Sequence, residues 1–284
     1  MSIYYIDGSF VTAEKAALPV SDLAILRGYG VFDYMRTYGG RPFHLDAHIR
    51  RLLNSAQLIG LSSPWNIQDV SDIVEATLER NNYQESSIRL LITGGDSVDS
   101  ITPGEKPRLL VMVEPVKEFP SHWYEKGVKV ITTNITRHVP GAKSIDYIQA
   151  ILALNNARKT GAVESIYVDS QDRVLEGTTS NIFAVSNGQL VTPPDEILPG
   201  VTRDVVLDIA APVYSPQLRS ISRTELHTAD EVFLTSSNKE ILPVSQIDEV
   251  VIGTGKPGKI TREIQQLFRD HTEQYSGGSG SADS

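Results

Sequence analysis

The 284-residue chain contains no cysteine, which excludes disulfides, thiolate metal sites and a cysteine nucleophile. It has no run of about 18 apolar residues, so no membrane-spanning helix is expected. The opening MSIYYIDGSF lacks a basic stretch followed by an apolar one, so no secretory signal is expected either. Positive charge is the minority: 26 Lys and Arg stand against 35 Asp and Glu, a net charge of −9. Such a surface repels nucleic acid and anionic membranes, and any anionic ligand must be met by a local cluster of Arg, Lys or backbone N–H groups. These absences fit a soluble, cytoplasmic protein. The six histidines (His44, His48, His122, His138, His227 and His271) lack metal-ligand spacing; His44 and His48 are four apart, with no third ligand in view. No metal site is expected. Neither a G-x-S-x-G elbow nor a G-x-x-x-x-G-K-[ST] loop is present. The segment GTGKPG at 253–258 lies between a strand and the last helix and reads as a turn.

Hydrophobic residues make up 40% of the chain, enough for one large core or two ordinary ones. Strand-like runs are predicted at 3–6, 31–38, 41–43, 88–93, 109–113, 128–133, 165–169, 181–185 and 231–235. Helical spacing appears at 45–58, 70–78, 145–160, 202–211 and 259–275. Asn187-Gly188 is a hairpin turn signal. The pattern loosens around Glu114-Pro115 and Phe119-Pro120. The predicted organisation is α+β: a smaller N-terminal α/β domain over 1–116, a linker at 117–126, a larger domain over 127–275 and a flexible tail at 276–284. The tail, SGGSGSADS, reads as a flexible end or an artificial extension. A cleft between two such domains is a common ligand location.

Four segments could carry chemistry. In GAKSIDY, Lys143 follows a Pro-Gly break and precedes a helix, where an amine can reach into a cleft and act in Schiff-base chemistry. Position alone does not separate it from an ordinary surface lysine. In EGTTSN, Glu176 is followed by Gly and a row of hydroxyls; a carboxylate beside a pyridine nitrogen would keep that nitrogen protonated. The ordinary alternative is a loop whose hydroxyls cap backbone groups. LPGVTRD places Gly200 and Thr202 at a helix start, where free N–H groups favour an anion, and TSSNKEI ends a strand in adjacent hydroxyls. Arg50 and Arg51 offer charge-assisted bonds to a phosphate, or a solvated helix face.

The order of these pieces resembles the class IV (fold type IV) aminotransferase family: Arg51, Lys143 in KSIDY, EGTTSN, GVTR, then TSSNKEILPV. That family includes branched-chain aminotransferases, D-amino-acid transaminases and aminodeoxychorismate lyases, and the likeness runs from residue 5 to about residue 268. The resemblance implies two α/β domains with pyridoxal 5′-phosphate between them, in a homodimer whose partner loop covers the pocket. It implies that Lys143 carries the cofactor and moves the proton between Cα and C4′. Glu176 would pair with the pyridine nitrogen, and Tyr147 would bond near the phenolic oxygen. Arg51, Val201, Thr202, Ser236 and Ser237 would hold the phosphate, while Thr179, Ser180 and Asn181 would line or brace the ring. One departure stands out: Asp146 replaces the Asn of the usual K-x-x-N-Y.

Substrate choice is expected to turn on Arg27 and Arg89. Branched-chain enzymes of the family tend to place Tyr near the positions of Arg27 and Ser87. Two guanidiniums by one pocket would suit a dicarboxylate or a relocated α-carboxylate trap, which favours ping-pong transamination of D-amino acids such as D-alanine or D-glutamate with 2-oxoglutarate. The alternatives are an L-branched-chain enzyme, with Arg27 facing solvent or paired with Asp22 or Asp33, and a pyruvate-eliminating lyase. A cofactor-free binding protein is disfavoured, because Lys143 and Glu176 are both present.

Overall fold

The computed structural model describes residues 1–277, and the chain divides into two compact units. The first comprises Met1–Lys117, the short stretch Gly141–Asp146 and the described residues from Gln274 on; the second comprises Glu118–Pro140 and Tyr147–Glu273. The mixed α/β architecture is the one expected. Ser276 ends the last helix, and the remainder of the predicted tail, from 278, lies outside the described residues.

The first unit contains β1 (Ile3–Ile6), β2 (Ser9–Thr12), α1 (Leu23–Arg27), β3 (Gly30–Tyr38), β4 (Arg41–Pro42), α2 (Leu45–Leu58), α3 (Ile67–Leu78), β5 (Ser86–Thr93) and β6 (Arg108–Pro115). Its sheet runs β2-β1-β6-β5-β3-β4, with antiparallel neighbours throughout. Alternation sorts the strands into two faces. Val31 and Met35 of β3, Ile88, Leu90 and Ile92 of β5, and Leu109, Val111 and Val113 of β6 form one buried layer with Ile49, Leu52, Val70 and Val74 of α2 and α3. The odd residues of β3 are buried and the even ones from Phe32 on are half-buried, so Phe32, Tyr34 and Arg36 stand on the opposite face. Helix α3 starts three residues before its predicted position because Asn66 and Asp69 form a reciprocal capping box.

The second unit holds α4 (Ser121–Lys126), β7 (Val128–Asn134), α5 (Ile148–Lys159), β8 (Glu164–Val168), β9 (Val174–Gly177), β10 (Asn181–Ser186), β11 (Gln189–Thr192), α6 (Val201–Tyr214), β12 (Gln217–Leu218), α7 (Arg223–His227), β13 (Glu231–Ser236), β14 (Glu240–Ile247), β15 (Val250–Val251) and α8 (Lys259–Ser276). Its sheet runs β12-β11-β10-β13-β14-β7-β8-β9, with β15 beside β14. Strands β8 and β9 are buried along their whole length, as befits a sheet covered on both faces. Asn187 and Gly188 both adopt positive φ and close the predicted hairpin between β10 and β11.

Three sequence expectations need correction. The stretch read as a linker contains α4, whose Trp123 and Tyr124 pack on the second unit's core. The helix predicted from 145 begins at Ile148, because the preceding residues are held extended against β3: Ser144 bridges Val31, and the Ile145 N–H donates to the Gly30 carbonyl at 3.0 Å. Strand β14 is absent from the sequence expectations, since Pro243 argues against a central strand. It is tolerated because Pro243 stands one residue before the pairing with β7 begins, at Val244 opposite Val128.

Candidate active site

In the first unit, Lys143 lies on the extended stretch at the edge of β3. Its carbonyl accepts the Phe32 N–H at 2.9 Å and its own N–H donates to Ser55 Oγ at 3.0 Å. Ser55 Oγ in turn donates to the carbonyl of Arg51 at 2.7 Å, so one buried hydroxyl ties the lysine backbone to the turn of α2 that bears Arg51. The Lys143 Nζ sits 4.8 Å from the centre of the Phe32 ring, and the Arg89 guanidinium carbon is 5.5 Å from that same ring and from Tyr34.

Arg51 itself is buried against Asp33: Nε meets Oδ2 and Nη2 meets Oδ1, each at 2.8 Å. His48 Nδ1 is 2.7 Å from Asp33 Oδ1. Burial alone would push the Asp33 carboxyl up, but Arg51 and His48 outweigh it and hold the group well below the usual carboxylate range. For His48 burial wins and lowers its pKa, despite the pull of Asp33, with Arg51 and Lys143 adding to the decrease. The imidazole is therefore neutral, with Nδ1–H donating to the carboxylate.

Asp33→Ala is expected to destabilise the protein by on the order of 3–5 kcal/mol, since it strips a buried guanidinium of its bidentate partner. Thermal melts read this directly. The difference from wild type shrinks on acidification: a carboxylate with a depressed pKa contributes stability above its unfolded value, about 4, and loses it as pH falls through the folded value.

In the second unit, Glu176 is buried on β9. Its Oε1 accepts from Arg137 Nε and its Oε2 from the Leu198 N–H, both at 2.9 Å. Nothing in the sequence marks Arg137. Tyr167, on β8, is raised well above the ordinary phenol range by burial first, then by Glu176 and Tyr147, so its hydroxyl stays protonated. Tyr147 is the residue before α5.

Asn181 opens β10 opposite Thr235 of β13, so the two side chains share one face of the sheet. The Asn181 amide donates to the Leu198 carbonyl at 2.8 Å. Its Oδ1 lies 1.9 Å from where a Cβ on Gly200 would be. Gly200 precedes α6 and has no side chain to cap Val201, Thr202 and Arg203, whose residues are buried. Gly200→Ala is expected to expel the Asn181 amide and cost about 1–3 kcal/mol through overpacking, measurable by denaturant unfolding.

Of the predicted hydroxyls, Ser236 Oγ donates to Asn238 Oδ1 at 3.0 Å and accepts the Lys239 N–H at 3.3 Å. Ser237 is half-buried beside it. The buried hydroxyl without a partner is instead Thr235 Oγ1. Thr179 and Ser180 turn inward to Glu164, which no sequence motif marks either.

Arg27 and Arg89 are both exposed. Arg27 ends α1 with Nη1 on the Leu26 carbonyl at 2.7 Å, while Arg89 lies over Phe32 and Tyr34; these contacts share no residue. Pairing of Arg27 with Asp22 or Asp33 is not found: Asp22 accepts from Ala24, Thr93 and Arg108, and Asp33 from Arg51 and His48. Among the described residues no group of three or more His, Cys, Asp or Glu could hold a metal ion, and no helix is long and apolar enough to cross a membrane.

A family model described as amino-transferase class IV matches residues 30–247. A Methanocaldococcus jannaschii protein, whose branched-chain-amino-acid aminotransferase name is itself provisional, is 36% identical over 94% of this chain and 95% of its own. The D-alanine aminotransferase of Staphylococcus epidermidis is 32% identical over 97% of this chain and all of its own length. Among solved structures, the branched-chain amino acid aminotransferase of Escherichia coli superposes with a TM-score of 0.89 at 28% identity, covering 95% of this chain and 94% of that one. A second branched-chain amino acid aminotransferase, from the source abbreviated T.th. and solved with pyridoxamine 5′-phosphate, matches with the same TM-score, identity and coverage.

Proposed function

The chain belongs to the class IV aminotransferases, and we propose that it moves the amino group of an apolar L-amino acid to a 2-oxo acid such as 2-oxoglutarate. Fold and aminotransferase chemistry follow from the family; donor choice and residue roles are our reading. The family's cofactor is pyridoxal 5′-phosphate, which when bound supplies an electron sink that lets the α-proton of an amino acid leave.

The residues present fit that group. An anion is welcomed by the uncapped start of α6 at Val201 and Thr202. The orphaned Thr235 hydroxyl lies on the same sheet face as Asn181, whose amide touches Gly200, so a phosphate oxygen would satisfy it. Ser236 and Ser237 extend that edge, and Arg51 adds positive charge. Glu176, fixed by Arg137 and the Leu198 N–H, presents a carboxylate that favours a protonated ring nitrogen. Tyr147 and the protonated Tyr167 supply phenol donors beside it. Lys143 holds the cofactor through Nζ, and the same nitrogen takes the proton from the donor's Cα and returns it elsewhere.

The observation that carries the donor reading is the Phe32 ring, shared by Lys143 Nζ and Arg89. Arg89 is placed to hold a carboxylate, and Phe32 and Tyr34 around it suit an apolar side chain. A D-amino-acid donor is the second reading, favoured by the Staphylococcus relative and by Arg89 as a carboxylate trap. The argument from two arginines at one pocket is weakened by the exposed Arg27. The exposed Ile148, Ile151 and Leu152 on α5 support assembly as a homodimer.

Half-reactions of the holoenzyme with L-leucine, L-glutamate, D-alanine and D-glutamate in separate cuvettes test the reading. Bleaching of the visible cofactor band by L-leucine is expected. Bleaching by the D-donors alone makes the chain a D-amino-acid transaminase.

A further inference from the structure

Glu164 of β8 is completely buried, and five donors converge on its two oxygens. Oε1 accepts the Thr179 N–H at 2.6 Å and the hydroxyls of Thr178, Thr179 and Ser180 at 3.1, 3.0 and 3.0 Å; Oε2 accepts Lys239 Nζ at 2.9 Å. Lys239 is itself only 7% exposed, and its Nζ also donates to Thr179 Oγ1 at 2.6 Å. Its backbone N–H reaches Ser236 Oγ. The turn after Glu176 is closed down on this pair: a Cβ on Gly177 would lie 2.3 Å from Ser180 Oγ and 2.9 Å from Glu164 Oε1.

We propose that Glu164 and Lys239 are positioning residues for transamination, a buried pair that locks the Thr178–Ser180 turn after Glu176 to the β13–β14 hairpin that carries Thr235, Ser236 and Ser237. The inference rests on the reading above that Glu176 and this hairpin meet the cofactor. Stability alone is a weak reason for such a pair, because the desolvation of two buried charges offsets most of their attraction. Geometry supplies a stronger one. Four of the five donors come from one turn, and the fifth from the hairpin, so the pair couples two segments far apart in sequence. Burial would push the Glu164 carboxyl up, yet Lys239 and the turn's donors hold it below its ordinary value, so it is ionised when the site works. It follows that the Thr179 and Ser180 hydroxyls brace the site through Glu164.

The test compares wild type, Glu164→Gln/Lys239→Met and Thr179→Val. The double variant removes both charges together, and Thr179→Val cuts the hydroxyl bridge while leaving the ion pair. Pyridoxal phosphate affinity is measured by titration of the apo-protein, with circular dichroism for folding and with kcat and KM for amino transfer. Displacement of ring-holding groups by a fraction of an ångström to an ångström predicts cofactor affinity and kcat lower by about tenfold to a hundredfold in the folded double variant, with donor KM little changed. Thr179→Val should move the same way, by less, and decides alone if the double variant does not fold. Folded variants with wild-type cofactor affinity and kcat overturn the proposal, whatever their melting temperatures. A wild type that takes up no pyridoxal phosphate overturns the cofactor reading and this pair's role with it.

Discussion

Lys143→Ala is expected to abolish amino transfer while leaving the fold intact. The loss should be at least about 10²–10⁴-fold, the usual contribution of one positioned acid–base group, and larger here because the same nitrogen also holds the cofactor. The fold should survive because the anchors of this stretch run through its backbone. The Lys143 carbonyl meets Phe32, its N–H meets Ser55, and Ile145 meets Gly30. The side chain is half-buried and belongs to no core cluster. Steady-state assays beside thermal melts separate the two effects, and a variant that keeps half its activity removes the assignment.

Glu176→Gln is the second large effect. A glutamine keeps the shape and can still accept the Leu198 N–H, but it lacks the negative charge that favours a protonated ring nitrogen. Loss of one preorganised electrostatic partner predicts a fall in kcat on the order of 10²–10³-fold. Cofactor retention should change far less, because the phosphate-holding groups are untouched. Stability should fall slightly, since Arg137 exchanges a carboxylate for a neutral oxygen and is itself only half-buried. Equal losses in cofactor binding and in kcat would mean that Glu176 serves as a structural carboxylate.

What the sequence disclosed follows from how local each signal is. The α2 stripe, the Asn187-Gly188 hairpin and the strand runs of β5, β6 and β10 are written in neighbouring residues, and they appear where expected. The ordered segments around Lys143, Glu176, Gly200 and Ser236 likewise pointed to one family. The ion pairs were invisible. Glu164 and Lys239 are 75 positions apart, Arg137 and Glu176 39, and Asp33 and Arg51 18. Strand register and helix docking bring each pair together, and no short motif marks a residue for such a meeting. The same holds for Thr235: three adjacent hydroxyls look alike in sequence, and only the turn that ties Ser236 to Asn238 and Lys239 distinguishes the one left over. Arg27 and Arg89 failed as a pair for a related reason. Proximity to one motif or another does not fix which way an exposed side chain turns.

The central claim is that Lys143 bears the cofactor. Holoenzyme reduced with borohydride, digested and mapped by mass spectrometry tests it at the level of one atom. A pyridoxyl phosphate adduct on the peptide containing Lys143, and on no other lysine, is the predicted result. An adduct on Lys239 or any other lysine, with Lys143 unmodified, would contradict the account.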